Sequence, residues 1–246
     1  MADSVFSPSV AELLVQSIEA IFFDLDGTLV DSVPDLAAAV DLMLQGMGKT
    51  PAGEDKVNRW VGNGASALVK RALLNCDDGN TIHQQQFADE LDDEEFSTAY
   101  PIFEFAYAQC LTQASGLYPG VESVLANLAA AKIKMALITN KPRQFTLPLL
   151  RALNIKHYFN TVICGDDLEF KKPHPLPVET ALKNLEVSAQ QALMVGDSIS
   201  DVKSANAAGV KTVAVTYGYN HGISITDSAN EMQADYFVDN IQQLLK

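Results

Sequence analysis

The chain has 246 residues, of which 48% are hydrophobic and 20% charged, a composition typical of a globular protein with a sizeable core. Its formal net charge of −14 argues against nucleic acid or an anionic membrane as a partner. No apolar stretch is long enough to span a bilayer, and the N-terminus lacks the basic and apolar regions of a signal peptide. Cys76, Cys110 and Cys164 are widely separated, which predicts reduced thiols in a cytoplasmic protein.

The first predicted strand ends in a pair of acids. Apolar residues 20–23 indicate a short buried strand, and Asp24 and Asp26 follow it directly. Residues two apart in a strand point to the same side, so both carboxylates are expected to face one site. Neighbouring negative charges are costly unless a cation or a shared proton offsets them, so the pair indicates metal-assisted chemistry. A lone Asp-x-Asp remains a weak signal, because such pairs often only cap a helix.

Residues 33–117 show helical periodicity without a convincing strand, which predicts a helical insert after the first strand. The predicted helices cover residues 36–44, 57–74, 87–91 and 96–111. Residues 60–64 are expected to form a loop or helix start whose free N–H groups suit an anion. Positive charges in the insert concentrate in Lys56, Arg59, Lys70 and Arg71. The acidic stretch over residues 77–95 is interpreted as a solvated connector.

Beyond the insert, strands and helices alternate. The predicted strands cover residues 135–139, 161–164, 192–195, 211–216 and 236–238, with helices over residues 121–132, 178–185 and 201–208. This alternation predicts an α/β fold, a doubly wound Rossmann-like parallel sheet with an inserted all-helical cap domain. Residues 1–32 and 118–246 are expected to form the core, and residues 33–117 the cap.

Further polar residues stand at the ends of predicted core strands. Thr139 and Asn140 end the second core strand, where by themselves they would be typical of a helix cap. Ligands bind at the carboxyl ends of strands in an open parallel sheet, so both residues are expected to join the acid pair. Asp197 follows a later strand, and Asp201 begins the next helix, where the helix dipole also favours an acid. Lys172 precedes a proline that holds it in extended backbone.

Four segments of the chain resemble, in order, the four motifs of the haloacid dehalogenase-like (HAD) hydrolases. They are the Asp24-Leu25-Asp26-Gly27-Thr28 string, Thr139-Asn140, Lys171-Lys172-Pro173 and Gly196-Asp197. The resemblance covers nearly the whole chain. Within the superfamily, residues 60–65, 139–142, 171–175 and 215–220 are similar to the family of bacterial phosphoglycolate phosphatases.

The resemblance implies a phosphoryl-transfer site. It implies that Asp24 attacks phosphorus to give an aspartyl-phosphate, and that Asp26 protonates the leaving group and then activates water. It also implies Mg²⁺ held by the Asp24 and Asp197 carboxylates and by the Asp26 main-chain carbonyl. Thr139, Asn140 and Lys172 would bind the phosphate oxygens, with Asp201 and Thr28 in support.

The expected substrate is a small anionic phosphoester. The resemblance implies hydrolysis of 2-phosphoglycolate, whose carboxylate needs a cation or N–H donors in the cap. The candidates for this role are Gly62, Asn63, Gly64, Lys70 and Arg71. The chain is expected to act as a monomer or homodimer, without nucleic acid or membrane partners.

Several alternatives stay open at this point. One is another small-phosphoester enzyme of the superfamily, either a sugar-phosphate phosphatase or a phosphomutase. Dehalogenase relatives lack the second aspartate, so Asp26 argues against dehalogenation, and mutase relatives commonly carry valine where Thr28 stands. A non-catalytic binding protein is disfavoured, because such a protein has no physical need of a charge-repelling acid cluster.

Overall fold

The computed structural model describes residues 18–76, 93–219 and 234–245. Within these residues the strands are β1 (Ala20–Phe23), β2 (Val30–Asp31), β3 (Gly116–Leu117), β4 (Lys134–Ile138), β5 (Thr161–Ile163), β6 (Ala192–Gly196), β7 (Lys211–Val215) and β8 (Tyr236–Val238). Six of them form one sheet in the order β5-β4-β1-β6-β7-β8, and every neighbouring pair is parallel. The predicted Rossmann-like sheet is confirmed.

The central position of β1 follows from its sequence. All four of its residues, Ala-Ile-Phe-Phe, are buried, as expected for a parallel strand covered on both faces. It pairs with β4 on one side and β6 on the other, so that Phe23 lies opposite Leu137 and Val195. The residues that follow these three strands therefore emerge side by side at one edge of the sheet.

The helices fall into two groups along the chain. In order they are α1 (Val33–Gly46), α2 (Glu54–Trp60), α3 (Ala65–Leu74), α4 (Asp93–Cys110), α5 (Val121–Ala130), α6 (Arg143–Ala152), α7 (Leu176–Leu185) and α8 (Ile199–Ala207). The first four lie between β2 and β3, and α1 packs mainly on α4. The last four alternate with the strands of the main sheet. No helix in the described parts of the chain is both long and apolar enough to cross a membrane.

The insert differs in detail from the sequence prediction. The helix predicted over residues 57–74 is two helices, separated at residues 61–64, as the expected loop there allows. Gly62 and Gly64 have φ angles of 127° and 89°, which break the helical path. The helix predicted over residues 87–91 lies outside the described residues, as does the acidic stretch except for its last three residues, which begin α4.

A two-stranded antiparallel ribbon joins the insert to the core, a feature that the sequence did not predict. Strands β2 and β3 pair with Val30 opposite Leu117 and Asp31 opposite Gly116. The Tyr219 hydroxyl donates to Asp31 Oδ1 at 2.7 Å and accepts from the main-chain N–H of Ser32 at 2.7 Å. Both chain crossings between core and insert are therefore fixed at one place.

Candidate active site

Polar side chains converge at the carboxyl edge of the main sheet. Asp24 follows β1, Thr139 follows β4 and Asp197 follows β6. The Asp24 main-chain N–H donates to Val195 O at 3.0 Å, and that of Thr139 donates to Ile163 O at 3.0 Å. The strand ladders thus continue into the site and fix its backbone.

Three carboxylates form a compact cluster at this edge. One oxygen from each of Asp24, Asp197 and Asp201 lies within 4.8 Å of the other two. Burial, reinforced by the neighbouring acids, raises the pKa of Asp24 well above its ordinary value despite the opposing Lys172 ammonium. Burial and the Asp201 charge raise the pKa of Asp197 to about 7. Hard oxygen donors whose charges repel in this way fit a divalent cation.

Lys172 neutralises part of this cluster. Its Nζ lies 2.6 Å from Asp201 Oδ1 and 2.6 Å from Ile138 O, and both contacts are hydrogen bonds. It also lies 2.8 Å from Asp24 Oδ1, as an ion pair without hydrogen-bond alignment. Burial opposes the charge on Lys172, but Asp201 and Asp24 together outweigh it and raise the pKa of the ammonium. Lys172 therefore remains charged beside Asp24.

The Asp201 carboxylate accepts hydrogen bonds from two residues, Lys172 and Ser198. Its Oδ1 accepts from Lys172, and its Oδ2 accepts from the Ser198 main-chain N–H at 3.0 Å and from Ser198 Oγ at 2.7 Å. The bond from the Ser198 main-chain N–H is one half of a capping box at the start of α8, in which the Ser198 side chain in turn accepts from the Asp201 main-chain N–H. Asp201 thus links the Lys172 ammonium to the start of α8, and its supporting role in the reaction stays a prediction.

The Asp197 carboxylate is held by two hydrogen-bond donors and by main chain that packs closely against it. Its Oδ1 accepts from Thr28 Oγ1 at 2.9 Å, and its Oδ2 from the Tyr219 main-chain N–H at 2.9 Å. A Cβ added at Gly27, where φ is 90°, would lie 2.3 Å from Asp197 Oδ2. A Cβ at Gly218 would lie 2.1 Å from the Asp197 Cβ. Only glycine lets the backbone approach this carboxylate so closely.

Asn140 connects the sheet edge to the insert. Its Nδ2 donates to Lys172 O at 3.0 Å and to Gly62 O at 3.3 Å. The neighbouring Thr139 Oγ1 accepts from the Lys141 main-chain N–H at 3.2 Å. The loop of the insert therefore lies directly against the strand ends of the core.

Lys141 and Tyr107 form a contact that sequence reasoning missed. Lys141 Nζ lies 3.1 Å from both carboxylate oxygens of Asp26 and 2.6 Å from the Tyr107 hydroxyl. The lysine side chain is 4% exposed and that of Asp26 14%. Lys141 directly follows Thr139-Asn140, which was the available signal, whereas Tyr107 on α4 has no local signal.

The residues proposed for the cap take up different positions. Gly62 and Gly64 line the pocket at the sheet edge. Arg71 is buried behind this loop, where it donates to Trp60 O and to Asn63 Oδ1. The Lys70 ammonium lies 5.6 Å from the centre of the Phe96 ring. Neither Lys70 nor Arg71 is among the pocket-lining residues of the described structure, so direct substrate binding by them stays a prediction.

The pocket is small and mostly apolar on the insert side. Its polar lining residues are Asp24, Asp26, Thr139, Asn140 and Lys141. Its remaining lining residues are Leu36, Val61, Gly62, Gly64, Ala65, Leu68, Pro142 and Phe145. The cavity volume of about 40 Å³ corresponds to only a few water molecules, and this size suits a small ligand.

Known proteins match most of the length of this chain. The family model of the haloacid dehalogenase-like hydrolases matches residues 21–215. A phosphoglycolate phosphatase of Nitrosococcus oceani is 43% identical over 231 residues, covering 94% of this chain and 96% of the relative. One from Pseudomonas fluorescens is 46% identical over 225 residues, covering 92% and 78%.

A solved structure has the same fold. It is a predicted phosphoglycolate phosphatase from Haemophilus somnus, with a TM-score of 0.81 and 35% identity. The match covers 93% of this chain and 97% of that one. The chain belongs to the haloacid dehalogenase-like hydrolase family, as its motifs predicted. It is accordingly an enzyme, and its similarity to bacterial phosphoglycolate phosphatases is confirmed.

Proposed function

We propose that this enzyme is a Mg²⁺-dependent phosphatase that hydrolyses 2-phosphoglycolate to glycolate and inorganic phosphate. The observation that carries the proposal is the shared pocket of Asp24 and Asp26, with a charged lysine beside each carboxylate. The substrate is inferred from relatives named phosphoglycolate phosphatase that are 43% and 46% identical over most of the chain.

The first step is the attack of Asp24 on phosphorus. A carboxylate oxygen of Asp24 forms the new bond to phosphorus as the bond to the ester oxygen breaks, which yields an aspartyl-phosphate. Asp26 gives its proton to the departing glycolate oxygen. In the second step Asp26 takes a proton from water, whose oxygen attacks phosphorus, releases phosphate and restores Asp24.

The phosphate oxygens would be held by Thr139, Asn140 and Lys172. Lys172 is charged and already adjacent to Asp24, so its position suits the charge that spreads over those oxygens in the transition state. Thr139 and Asn140 lie at the end of β4 and line the same pocket.

The acid cluster fits a bound Mg²⁺. The Asp24 and Asp197 carboxylates and the Asp26 main-chain carbonyl would hold it, with Thr28 keeping Asp197 in orientation. When bound, the ion offsets negative charge on the phosphoryl group and on the nucleophile. Lys172 and Asp201 stay paired with each other beside it.

Release of inorganic phosphate tests the proposal. The assay compares 2-phosphoglycolate with a panel of small sugar phosphates in the presence of Mg²⁺, and the Asp24→Asn variant serves as the blank. We expect the highest kcat/KM for 2-phosphoglycolate. A higher value for a sugar phosphate would keep the mechanism and reject the substrate, and no Mg²⁺-dependent release from any compound would reject the function.

A further inference from the structure

Lys141 carries a positive charge that the phosphate-binding residues do not require. Among the described residues that line the pocket, it is the only lysine or arginine. Lys172 serves the opposite end of the site, where it contacts Asp24 and Asp201. Lys172 thus lies beside the nucleophile outside the pocket lining, whereas Lys141 lies beside Asp26 in the pocket itself.

The position of Lys141 relates it to the leaving group. In the proposed function, Asp26 protonates the ester oxygen, so the alcohol portion of the substrate must lie beside Asp26. Lys141 Nζ is 3.1 Å from both oxygens of that same carboxylate. Any group carried on the carbon next to the ester oxygen therefore comes close to the Lys141 ammonium.

The burial of Lys141 also suits an anionic ligand at this point. The lysine is almost fully buried, and a buried ammonium without an opposite charge is costly. Its ionic partner in the described structure is Asp26, both of whose carboxylate oxygens lie 3.1 Å from Nζ. Because Lys141 also lines the pocket, a carboxylate on the leaving alcohol would meet this ammonium there.

The ammonium is held in place from the insert. The Tyr107 hydroxyl accepts from Lys141 Nζ at 2.6 Å, and the centre of its ring lies 4.7 Å from the same nitrogen. Tyr107 itself packs on Phe103 and, edge to face, on Phe145. Burial and the nearby Asp26 raise the pKa of Tyr107 well above its ordinary value, so it stays a neutral partner. Lys141 is therefore preorganised when the insert lies against the core.

We propose that Lys141, positioned by Tyr107, is the specificity-determining residue that binds the carboxylate of the leaving alcohol. This inference rests on the proposed phosphatase function and deepens it. The sequence suggested Lys70 and Arg71 on the insert for binding the substrate carboxylate. The present proposal gives that role to Lys141, at the boundary between core and insert. Its alternative is that Lys141 only orients Asp26, in which case the lysine would serve all substrates equally.

Two phosphoesters that differ in one group distinguish carboxylate binding by Lys141 from orientation of Asp26. The first is 2-phosphoglycolate, and the second is 2-hydroxyethyl phosphate, which has a hydroxymethyl group in place of the carboxylate. For Lys141→Met we expect the ratio of the two kcat/KM values to fall about 10- to 100-fold, as for the loss of one charged hydrogen bond. The change should lie mainly in KM for 2-phosphoglycolate. Equal losses on both compounds would overturn the proposal in favour of orientation of Asp26.

Further variants distinguish a loss of substrate preference from a general loss of activity or folding. Lys49→Met is the matched control, because it removes a lysine ammonium 2.8 Å from Glu95 at the surface of the insert, and it should leave the ratio unchanged. Lys141→Arg keeps the charge and should retain most of the preference, whereas Lys141→Gln should lose it as Lys141→Met does. A Lys141→Gln enzyme that keeps the wild-type ratio would overturn the proposal even if Lys141→Met does not fold.

The two proposals can fail separately. If the wild-type enzyme releases no phosphate from 2-phosphoglycolate, the proposed function fails. If it prefers 2-phosphoglycolate but the Lys141 variants keep that preference, only the specificity role fails. Calorimetric titration of the Asp24→Asn protein with each compound gives a readout without turnover, and additional replacement of Lys141 by Met should abolish the difference between the two affinities.

Discussion

The core edge and the insert differ in the charged groups that they contribute to the candidate site. At the core edge, one oxygen from each of Asp24, Asp197 and Asp201 lies within 4.8 Å of the other two, and Lys172 pairs with the first and the last of these acids. The insert contributes chiefly apolar side chains and the main chain of its 61–64 loop to the same pocket. From this contrast we infer that bond breaking depends on the core alone, whereas the choice of leaving group depends on contacts across the boundary. The following changes test that division, beginning with the largest expected effect.

Replacing Asp24 should abolish most of the turnover and leave the fold intact. Asp24→Asn removes the proposed nucleophile, and we expect kcat to fall by at least about 10³-fold. The fold should persist with an equal or higher Tm, because a neutral amide replaces a buried acid whose pKa is raised. Phosphate release and thermal unfolding of the same sample measure both effects. Turnover near the wild-type level would contradict the role given to Asp24.

Removal of the divalent cation should show a pH dependence set by Asp197. Without the cation, burial and the Asp201 charge raise the pKa of Asp197 to about 7 in the folded protein, against the ordinary 3.8 of an exposed aspartate. Between these values the folded state binds more protons than the unfolded state, so the free energy of unfolding falls as pH rises. Mg²⁺ must displace that proton below pH 7, which lowers its apparent affinity up to about tenfold per pH unit.

Thermal unfolding with EDTA and with Mg²⁺ checks this prediction. The increase in Tm on adding Mg²⁺ should be larger at pH 8 than at pH 6. Asp197→Asn should weaken Mg²⁺ binding at both values and reduce the difference between them. An increase in Tm that is the same at pH 6 and pH 8 in the wild-type protein would exclude Asp197 from the cation site.

A change behind the insert loop should affect all substrates alike. Arg71→Met removes hydrogen bonds to Trp60 O and Asn63 Oδ1, which we expect to lower the free energy of unfolding by about 2 kcal/mol. The displaced loop should raise KM by a similar factor for 2-phosphoglycolate and 2-hydroxyethyl phosphate. Denaturant unfolding and steady-state kinetics measure these effects. An increase restricted to the carboxylate substrate would show that Arg71 binds it directly.

The smallest effect is expected at Lys70. Its ammonium lies over the Phe96 ring, so Lys70→Ala should cost about 0.5 kcal/mol of unfolding free energy or less. KM for both phosphoesters should stay at the wild-type value. A selective increase for 2-phosphoglycolate would support the role that the sequence suggested for this lysine.

The main sheet could be predicted because each of its strands carries a local signal. Runs such as Ala20–Phe23 are apolar throughout, and helical patterns separate most of the later runs, which identifies a parallel sheet. Strands β2 and β3 could not be predicted, because two residues are too few for any periodic pattern. Their pairing depends on where the chain leaves and re-enters the core.

Part of the candidate site could likewise be predicted from the sequence, and part could not. The places of Asp24, Thr139 and Asp197 follow from the rule that polar residues at the ends of parallel strands meet at one edge. The contact of Lys141 with Tyr107 joins residues 34 positions apart, on the core and on the insert. Sequence spacing does not encode how α4 packs against the core. For the same reason the sequence could not show that the Arg71 side chain is buried behind the loop.

The close packing of glycines around Asp197 has a consequence for the choice of ion. Mg²⁺ binds oxygens at about 2.0–2.1 Å, whereas Ca²⁺ needs about 2.3–2.6 Å and more ligands. The Asp197 carboxylate cannot retreat to make that room, because the backbone at Gly27 and Gly218 already touches it and two donors hold its oxygens. In the proposed Mg²⁺ site, the main chain at these glycines, rather than a ligating side chain, would therefore disfavour the larger cation.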